Sequence, residues 1–290
     1  MKLSVVIRAR NEARSLRRVF AALQAQDFSK PWEIVVVDNE SNDETRAVCE
    51  QFKARVVTIS CREFTYGRAL NRGIEAARGT FILLLSAHAV PIGRKFFEAA
   101  LAPFSDDQMA AVRCLYVGNS EQLESWYEPQ DIHYDSIESQ RAAQAGLDWT
   151  RRYPTATCCV IRRAVWEQVK YDEEIEANED KLWASQALAL GYKVRSCADA
   201  VYSYTRRRNK SEVRSRNYRE FRALYRMSGY VPLTWAEYLR GIAKALVYAP
   251  LVGIRHAVDT IVWKTNLMLV PWQTRSSPRP GSVREFDRPS

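Results

Sequence analysis

The sequence predicts an α/β protein built on a doubly wound, mainly parallel sheet, with a helical extension at its C-terminal end. Three observations carry this. Over the first 85 of 290 residues, short apolar runs alternate with helix-patterned stretches in the order β-α-β-α-β-α-β. Hydrophobic residues make up 47% of the chain and charged residues 27%, the balance of an ordinary globular protein with a substantial core. The charge is also unevenly placed. Residues 201–290 hold 17 Lys/Arg against 6 Asp/Glu, whereas the first 200 are close to neutral. That asymmetry separates two zones, the basic one suited to a polyanion such as a diphosphate, a nucleic acid or an anionic lipid.

Each element has its own signal. Residues 3–7 are a buried strand, and 12–26 carry Leu16, Val19, Phe20 and Leu23 at helical spacing. A second strand is expected at 34–37 and a helix at 41–52 with Ser41 as N-cap. A third strand follows at 55–59, then a helix at 68–78 ended by Gly79, and a fourth strand at 81–85. Beyond it lie strands at 109–117 and 156–161, helices at 163–169 and 178–190, and an extended stretch at 193–204. Helical patterns at 212–228 and 235–269, the second interrupted by Pro250, complete the chain before a disordered tail at 273–290. The expected domains are therefore 1–210, 211–272 and the tail.

Several classes are excluded. The six cysteines contain no CxxC pair and no His-rich tract accompanies them, which removes zinc ribbons and argues for free thiols in a reducing cytoplasm. The opening Met1-Lys2-Leu3-Ser4 fits no signal peptide. The longest charge-free apolar run near the C-terminus, 245–254, is ten residues and holds Pro250, whereas a spanning helix needs about 20. No nucleic-acid-binding motif accompanies the basic residues.

In open α/β sheets, ligands bind beyond the carboxyl ends of the strands, so the residues just after each strand carry the chemistry. After the first stand Arg8-Ala9-Arg10-Asn11-Glu12, at a helix N-terminus suited to an anion or a base edge. The second strand stops in Asp38-Asn39-Glu40-Ser41-Asn42-Asp43-Glu44-Thr45, a carboxylate and amides placed to accept from a base or ribose. Then come Tyr66-Gly67-Arg68-Ala69-Leu70-Asn71-Arg72-Gly73 and, after the fourth strand, Ser86-Ala87-His88-Ala89-Val90-Pro91. Last is Glu176-Ala177-Asn178-Glu179-Asp180-Lys181-Leu182-Trp183, with carboxylates opening a helix.

Together, over about residues 3–205, these pieces resemble the family 2 glycosyltransferases of GT-A fold, in the rhamnosyltransferase-like branch of bacterial polysaccharide-assembling enzymes. Asp38, Ser41, Asp43 and Thr45 match the family's Asp-Asp-x-Ser-x-Asp-x-Thr pattern, with Asn39 at the second Asp. His88 stands at the cation-binding position of the family's DxD-type element, here Ser86-Ala87-His88. Glu179-Asp180 with Trp183 matches the acceptor-site Glu-Asp-x-x-Trp. The family's His-x-His is replaced by Tyr202-Ser203-Tyr204, followed by Arg206, Arg207 and Arg208, which can neutralise a diphosphate as a cation does.

The resemblance implies an inverting transferase moving a sugar from a nucleotide-sugar donor to a hydroxyl of a glycan or lipid-linked glycan. Asp180 would be the general base, with Glu179 beside it. Glu179 and Trp183 would bind the acceptor, and Arg8, Ala9, Asn11, Asp38, Asn39, Arg68, Asn71, Ser86, Ala87 and Arg207 the donor. His88 would hold Mn²⁺ or Mg²⁺, a dependence that the altered DxD element weakens. The basic C-terminal helices would meet the anionic inner face of the plasma membrane or form a homo-oligomer. Two other readings are a catalytically weak sugar-nucleotide or glycan-binding module and a sugar-1-phosphate nucleotidyltransferase. The latter needs a Gly-rich N-terminal loop, and the first 30 residues hold no glycine.

Overall fold

The computed structural model describes residues 2–117, 133–134, 155–204, 210–228, 235–252 and 254–273. The tail expected to be disordered, and Arg206, Arg207 and Arg208, lie outside these residues. The chain divides into two compact units. One comprises residues 1–173 and 179–206, the other residues 174–178 and 207–290.

In the first unit, β1 (Leu3–Ala9), α1 (Ala13–Gln24), β2 (Trp32–Asp38), α2 (Thr45–Gln51), β3 (Arg55–Thr58), α3 (Tyr66–Ala76) and β4 (Phe81–Ser86) alternate as the periodicity requires. Strands β3, β2, β1 and β4 lie side by side and parallel. Register places Ala9 opposite Asp38, and Arg8 between Val37 and Ser86, so the three strands end on one edge. Burial of Val5, Ile7, Val36 and Leu83 against Leu16, Val19, Phe20 and Leu23 of α1 forms the core. Each such side chain contributes about 1.5–3 kcal/mol.

The second half of the sheet corrects the expectation of a mainly parallel arrangement. It comprises β5 (Ala89–Pro91), α4 (Phe96–Leu101), a 3₁₀ turn (Ala102–Ser105), β6 (Met109–Tyr116), β7 (His133–Tyr134), β8 (Cys158–Arg162), α5 (Arg163–Gln168), α6 (Glu179–Ala189) and β9 (Lys193–Tyr204). The strand order is β3-β2-β1-β4-β8-β6-β9-β5, with β7 also on β9. β8 runs antiparallel to β4 and β6, and β5 and β7 run antiparallel to β9, while β6 and β9 are parallel. The sheet is mixed. A short buried apolar run has no direction written into it, so pairing sense was not legible.

Two helix starts also differ from expectation. α3 begins at Tyr66 because Thr65 caps it, its Oγ1 accepting from the Arg68 N–H. α2 begins at Thr45, since the Ser41 hydroxyl accepts from a different loop instead of capping. α3 seats closely on the chain at 171–173. A Cβ on Gly67 would stand 1.8 Å from the Asp172 carbonyl oxygen, so only glycine permits the approach.

The second unit holds α7 (Lys210–Ser228), α8 (Trp235–Val252) and α9 (Ile254–Gln273). Here α8 continues through Pro250, correcting the expected interruption there. Asn178 Nδ2 donates to the Glu220 carbonyl of α7 at 2.9 Å, and Arg222 pairs with Glu176 at 3.2 Å. α8 and α9 meet through Tyr238 and Thr265, whose hydroxyls are 3.1 Å apart, and through Gly241 beneath the Lys264 stem. Leu239, Leu246 and Val247 of α8 and Val258, Val262 and Leu269 of α9 are exposed. Among the described residues no helix is long and apolar enough to cross a membrane.

Candidate active site

The first turns of the parallel half are stitched together by the pattern residues after β2. Ser41 Oγ accepts from the Asn11 N–H at 2.9 Å, Thr45 Oγ1 from Glu12 at 2.8 Å and Asp43 Oδ2 from Ala13 at 3.2 Å. Amides entering a helix lack an intrahelical partner, and here the β2 loop supplies them. In return Asn11 Oδ1 accepts from the Asn42 N–H at 2.9 Å, from a left-handed backbone (φ 55°) that asparagine tolerates. Asp38 is fully buried. One oxygen accepts from the Ser41 N–H at 3.2 Å, the other from Arg46 Nε at 2.7 Å. Its carboxylate therefore fixes the turn.

Beside it, Asn39 is buried and its N–H donates to the Ala9 carbonyl at 2.9 Å. The Asn39 side-chain oxygen has no hydrogen-bond partner among the described residues. An unsatisfied buried acceptor costs about 1–3 kcal/mol, so a ligand N–H arriving there is rewarded. The Cys61 thiol reaches the Asn39 carbonyl at 3.8 Å, and its backbone N–H donates to Glu40 at 2.9 Å.

After β4, Ala87 is buried and Ser86 Oγ accepts from the His88 N–H at 3.3 Å. The His88 ring lies with Nε2 2.8 Å from Glu12 Oε1 and Nδ1 3.2 Å from Ser15 Oγ. Both ring nitrogens are thus turned onto α1 and the residue before it. Among the described residues no three His, Cys, Asp or Glu side chains are grouped to hold a metal ion. A hard dication needs several oxygen donors, and among the described residues an imidazole bonded to the Glu12 carboxylate does not provide them. The residues present do not fit a protein-held cation at His88.

The carboxylate pair opens α6. Asp180 Oδ2 accepts from the Ala156 N–H at 2.9 Å and Oδ1 from the Lys181 N–H at 2.8 Å. Glu179 is buried, with Arg8 Nη1 3.4 Å from its Oε1. Burial pushes the Glu179 pKa up to about 7, the charge of Asp180 adds to the rise, and Arg8 pulls against both. The Arg8 guanidinium also lies over the Tyr66 ring, 4.8 Å from its centre.

The structure gives two expected ligand contacts a different role. Asn71 is buried with its amide saturated: Nδ2 donates to the Tyr171 carbonyl and to Glu173, and Oδ1 accepts from Trp166 Nε1 and the Tyr171 N–H. Trp183 is buried too, its indole N–H donating to the Val169 carbonyl at 2.7 Å and its ring stacked on Tyr171. Neither has a polar atom left for a ligand. Arg68 binds Glu173 at 3.0 Å and the Glu63 carbonyl at 2.8 Å, and so braces the same corner. Sequence reasoning gave no role to Tyr66, Ser15, Glu12 or Ala156. Of these, only Glu12 carried a signal, a carboxylate at a strand end.

A strand-edge cradle with a buried Glu179 and a half-buried Asp180 at a helix start defines a class. Residues 4–170 match the model of glycosyl transferase family 2, and the chain belongs to that family. Among its relatives, the O-antigen chain rhamnosyltransferase WbaN of Salmonella anatum is 23% identical over 185 residues, covering 62% of this chain and 58% of WbaN. The poly(ribitol-phosphate) β-N-acetylglucosaminyltransferase TarS of Staphylococcus aureus is 22% identical over 222 residues, 74% of this chain and 37% of TarS. The match thus spans a little over half of WbaN and about a third of TarS. The fold is also that of the mannosyltransferase PcManGT from Pyrobaculum calidifontis, solved with GDP-Man and Mn²⁺ (TM-score 0.56, 16% identity, 98% of this chain and 78% of that one). TarS 1–349 with UDP-GlcNAc is equally similar (TM-score 0.57, 17% identity, 98% and 77%).

Proposed function

We propose that this chain is an inverting glycosyltransferase that moves a sugar from a nucleotide-sugar donor to a hydroxyl of a glycan or lipid-linked glycan in cell-surface polysaccharide synthesis. The observation that carries the reading is the Glu179–Asp180 pair, reached by Arg8 from the end of β1. The nucleotide lies along the strand edge, its base N–H donating to the orphan oxygen of Asn39 and its diphosphate beside Arg8 and the Ser86-Ala87 turn. Asp180, held by two backbone N–H groups, takes the proton of the acceptor hydroxyl as that oxygen attacks the anomeric carbon. The bond to the diphosphate oxygen breaks and its electron pair leaves with the nucleotide, in one displacement with inversion. No step is routed through a cation, because Glu12 and Ser15 already engage His88.

Place is part of the same proposal. The enzyme works in the cytoplasm, with its basic helices against an anionic membrane where lipid-linked acceptors reside. Exposed Leu246, Val247 and Val262 and the basic Arg240, Lys244 and Lys264 are the composition of an interfacial helix pair. The test of the chemistry combines donor binding with base removal. A UDP-, dTDP- or GDP-sugar should raise the melting temperature of wild type and of Asp180→Asn alike. Transfer by Asp180→Asn should fall by at least about 100-fold, the usual share of a general base. A variant that keeps a tenth of wild-type turnover would remove Asp180 from the role.

A further inference from the structure

Arg8 is the residue that reaches from the donor side of the site to the acceptor side. It leaves β1 at the centre of the parallel edge, paired in register with Val37 and Ser86, where an anionic donor would lie. From there its guanidinium spans Tyr66, the first residue of α3, and Glu179, the first residue of α6. The contact to Glu179 is slack. At 3.4 Å it is well beyond the 2.7–2.9 Å typical of a charge-assisted N–H···O bond. Exposure is also unequal, 20% for the Arg8 side chain against 7% for Glu179, so an incoming anion meets the arginine before the acid.

We propose that Arg8 couples donor binding to the charge of the acceptor-side acids: the donor diphosphate draws the guanidinium off Glu179, and Glu179 takes up a proton from solvent as it loses that counter-charge. This rests on the reading of the strand edge as the donor site. Burial and Asp180 favour protonation of the acid, and Arg8 and a backbone hydrogen bond oppose it. Asp180 on α6 is a like charge, Tyr171 before α6 is a buried neutral group that offers no compensation, Cys159 on β8 is a buried neutral thiol facing Asp180, and Arg8 is the cation that opposes them. A diphosphate both occupies that cation and adds negative charge. The balance is simple: one proton moves from water to a Glu179 oxygen, and Arg8 stays charged throughout. The pair then bears one negative charge rather than two beside the anionic donor. Glu179 gains an O–H with which to hold the acceptor oxygen, while Asp180 remains the base.

Calorimetric titration of the full chain in two buffers of different ionisation enthalpy reads the proton directly. The probes are UDP-GlcNAc, GDP-mannose and a dTDP-sugar, whose diphosphates carry no group titrating near neutrality. At pH 7 binding should take up at most about half a proton, since Glu179, at about 7, is half protonated beforehand. At pH 5, where Glu179 is already neutral, uptake should vanish. Glu179→Gln should bind the same sugar nucleotide with no uptake, Arg8→Gln should bind at least tenfold more weakly and without uptake, and Arg8→Lys should restore part of both. Binding with no proton exchange, or uptake that survives Glu179→Gln, overturns the coupling and leaves the donor site standing. If none of the three sugar nucleotides binds, the donor site itself falls and the coupling with it.

Discussion

Glu179 makes the folded state sensitive to pH in a direction that can be worked out. Its carboxyl titrates near the ordinary value of 4.5 when unfolded and at about 7 when folded. Between those values the unfolded chain holds fewer protons than the native one, so stability falls as pH rises through this window and levels off above it. Replacing Glu179 by glutamine removes the term. The variant should gain stability over wild type on going from pH 4 to pH 8, by on the order of 3 kcal/mol. Urea melts at the two pH values measure it, and an equal difference at both would refute it. His88 makes a second test. EDTA should leave the donor-induced thermal shift unchanged, and His88→Ala should cost about 1 kcal/mol through the lost bond to Glu12. A shift abolished by EDTA and restored by Mn²⁺ would return a cation to the site. Single residues were legible as members of motifs but not always as actors. Asn71 and Trp183 stood in the right strings, yet their partners at 166–173 are far away in sequence, so only the folded chain shows that their polar atoms are already taken.

The elements of the parallel half were legible because buried strands and one-sided helices leave strong periods. The β1, α1, β2 and β4 runs are of this kind. What escaped was set by contacts between elements. β8 looks like any buried strand, and only its neighbours β4 and β6 determine that it runs antiparallel. The start of α3 depended on a Thr65 cap hidden in an aromatic stretch. α3 also gives the clearest element-level prediction. Gly67→Ala drives a methyl into the Asp172 carbonyl, which is backbone and cannot swing aside. The helix must shift off the 171–173 segment, at a cost of about 1–3 kcal/mol for such overpacking. Because Tyr66 and Glu173 move with it, donor affinity should fall along with the melting temperature. A stable Gly67→Ala protein with unchanged donor affinity would separate the helix seat from the site.

At the scale of the molecule, the chain divides into two units, and most of the basic excess of the last third belongs to the second. The proposed membrane role belongs to that zone. In flotation, the full chain should rise with phosphatidylcholine–phosphatidylglycerol vesicles at low salt, should be released as salt screens the arginines and lysines, and should stay behind with pure phosphatidylcholine. No flotation with the anionic vesicles at low salt would assign the exposed apolar faces of α8 and α9 to contacts between copies instead. The cysteines allow the first unit to be followed separately from the basic second one. All six thiols are unbridged, and five of them, Cys49, Cys114, Cys158, Cys159 and Cys197, are buried in the first unit, leaving Cys61 as the partly exposed one. A native molecule should therefore consume one equivalent of an alkylating reagent quickly and the other five only as this unit opens. Intact-mass counting of labels against denaturant then becomes a clock for its unfolding, blind to the cysteine-free second unit.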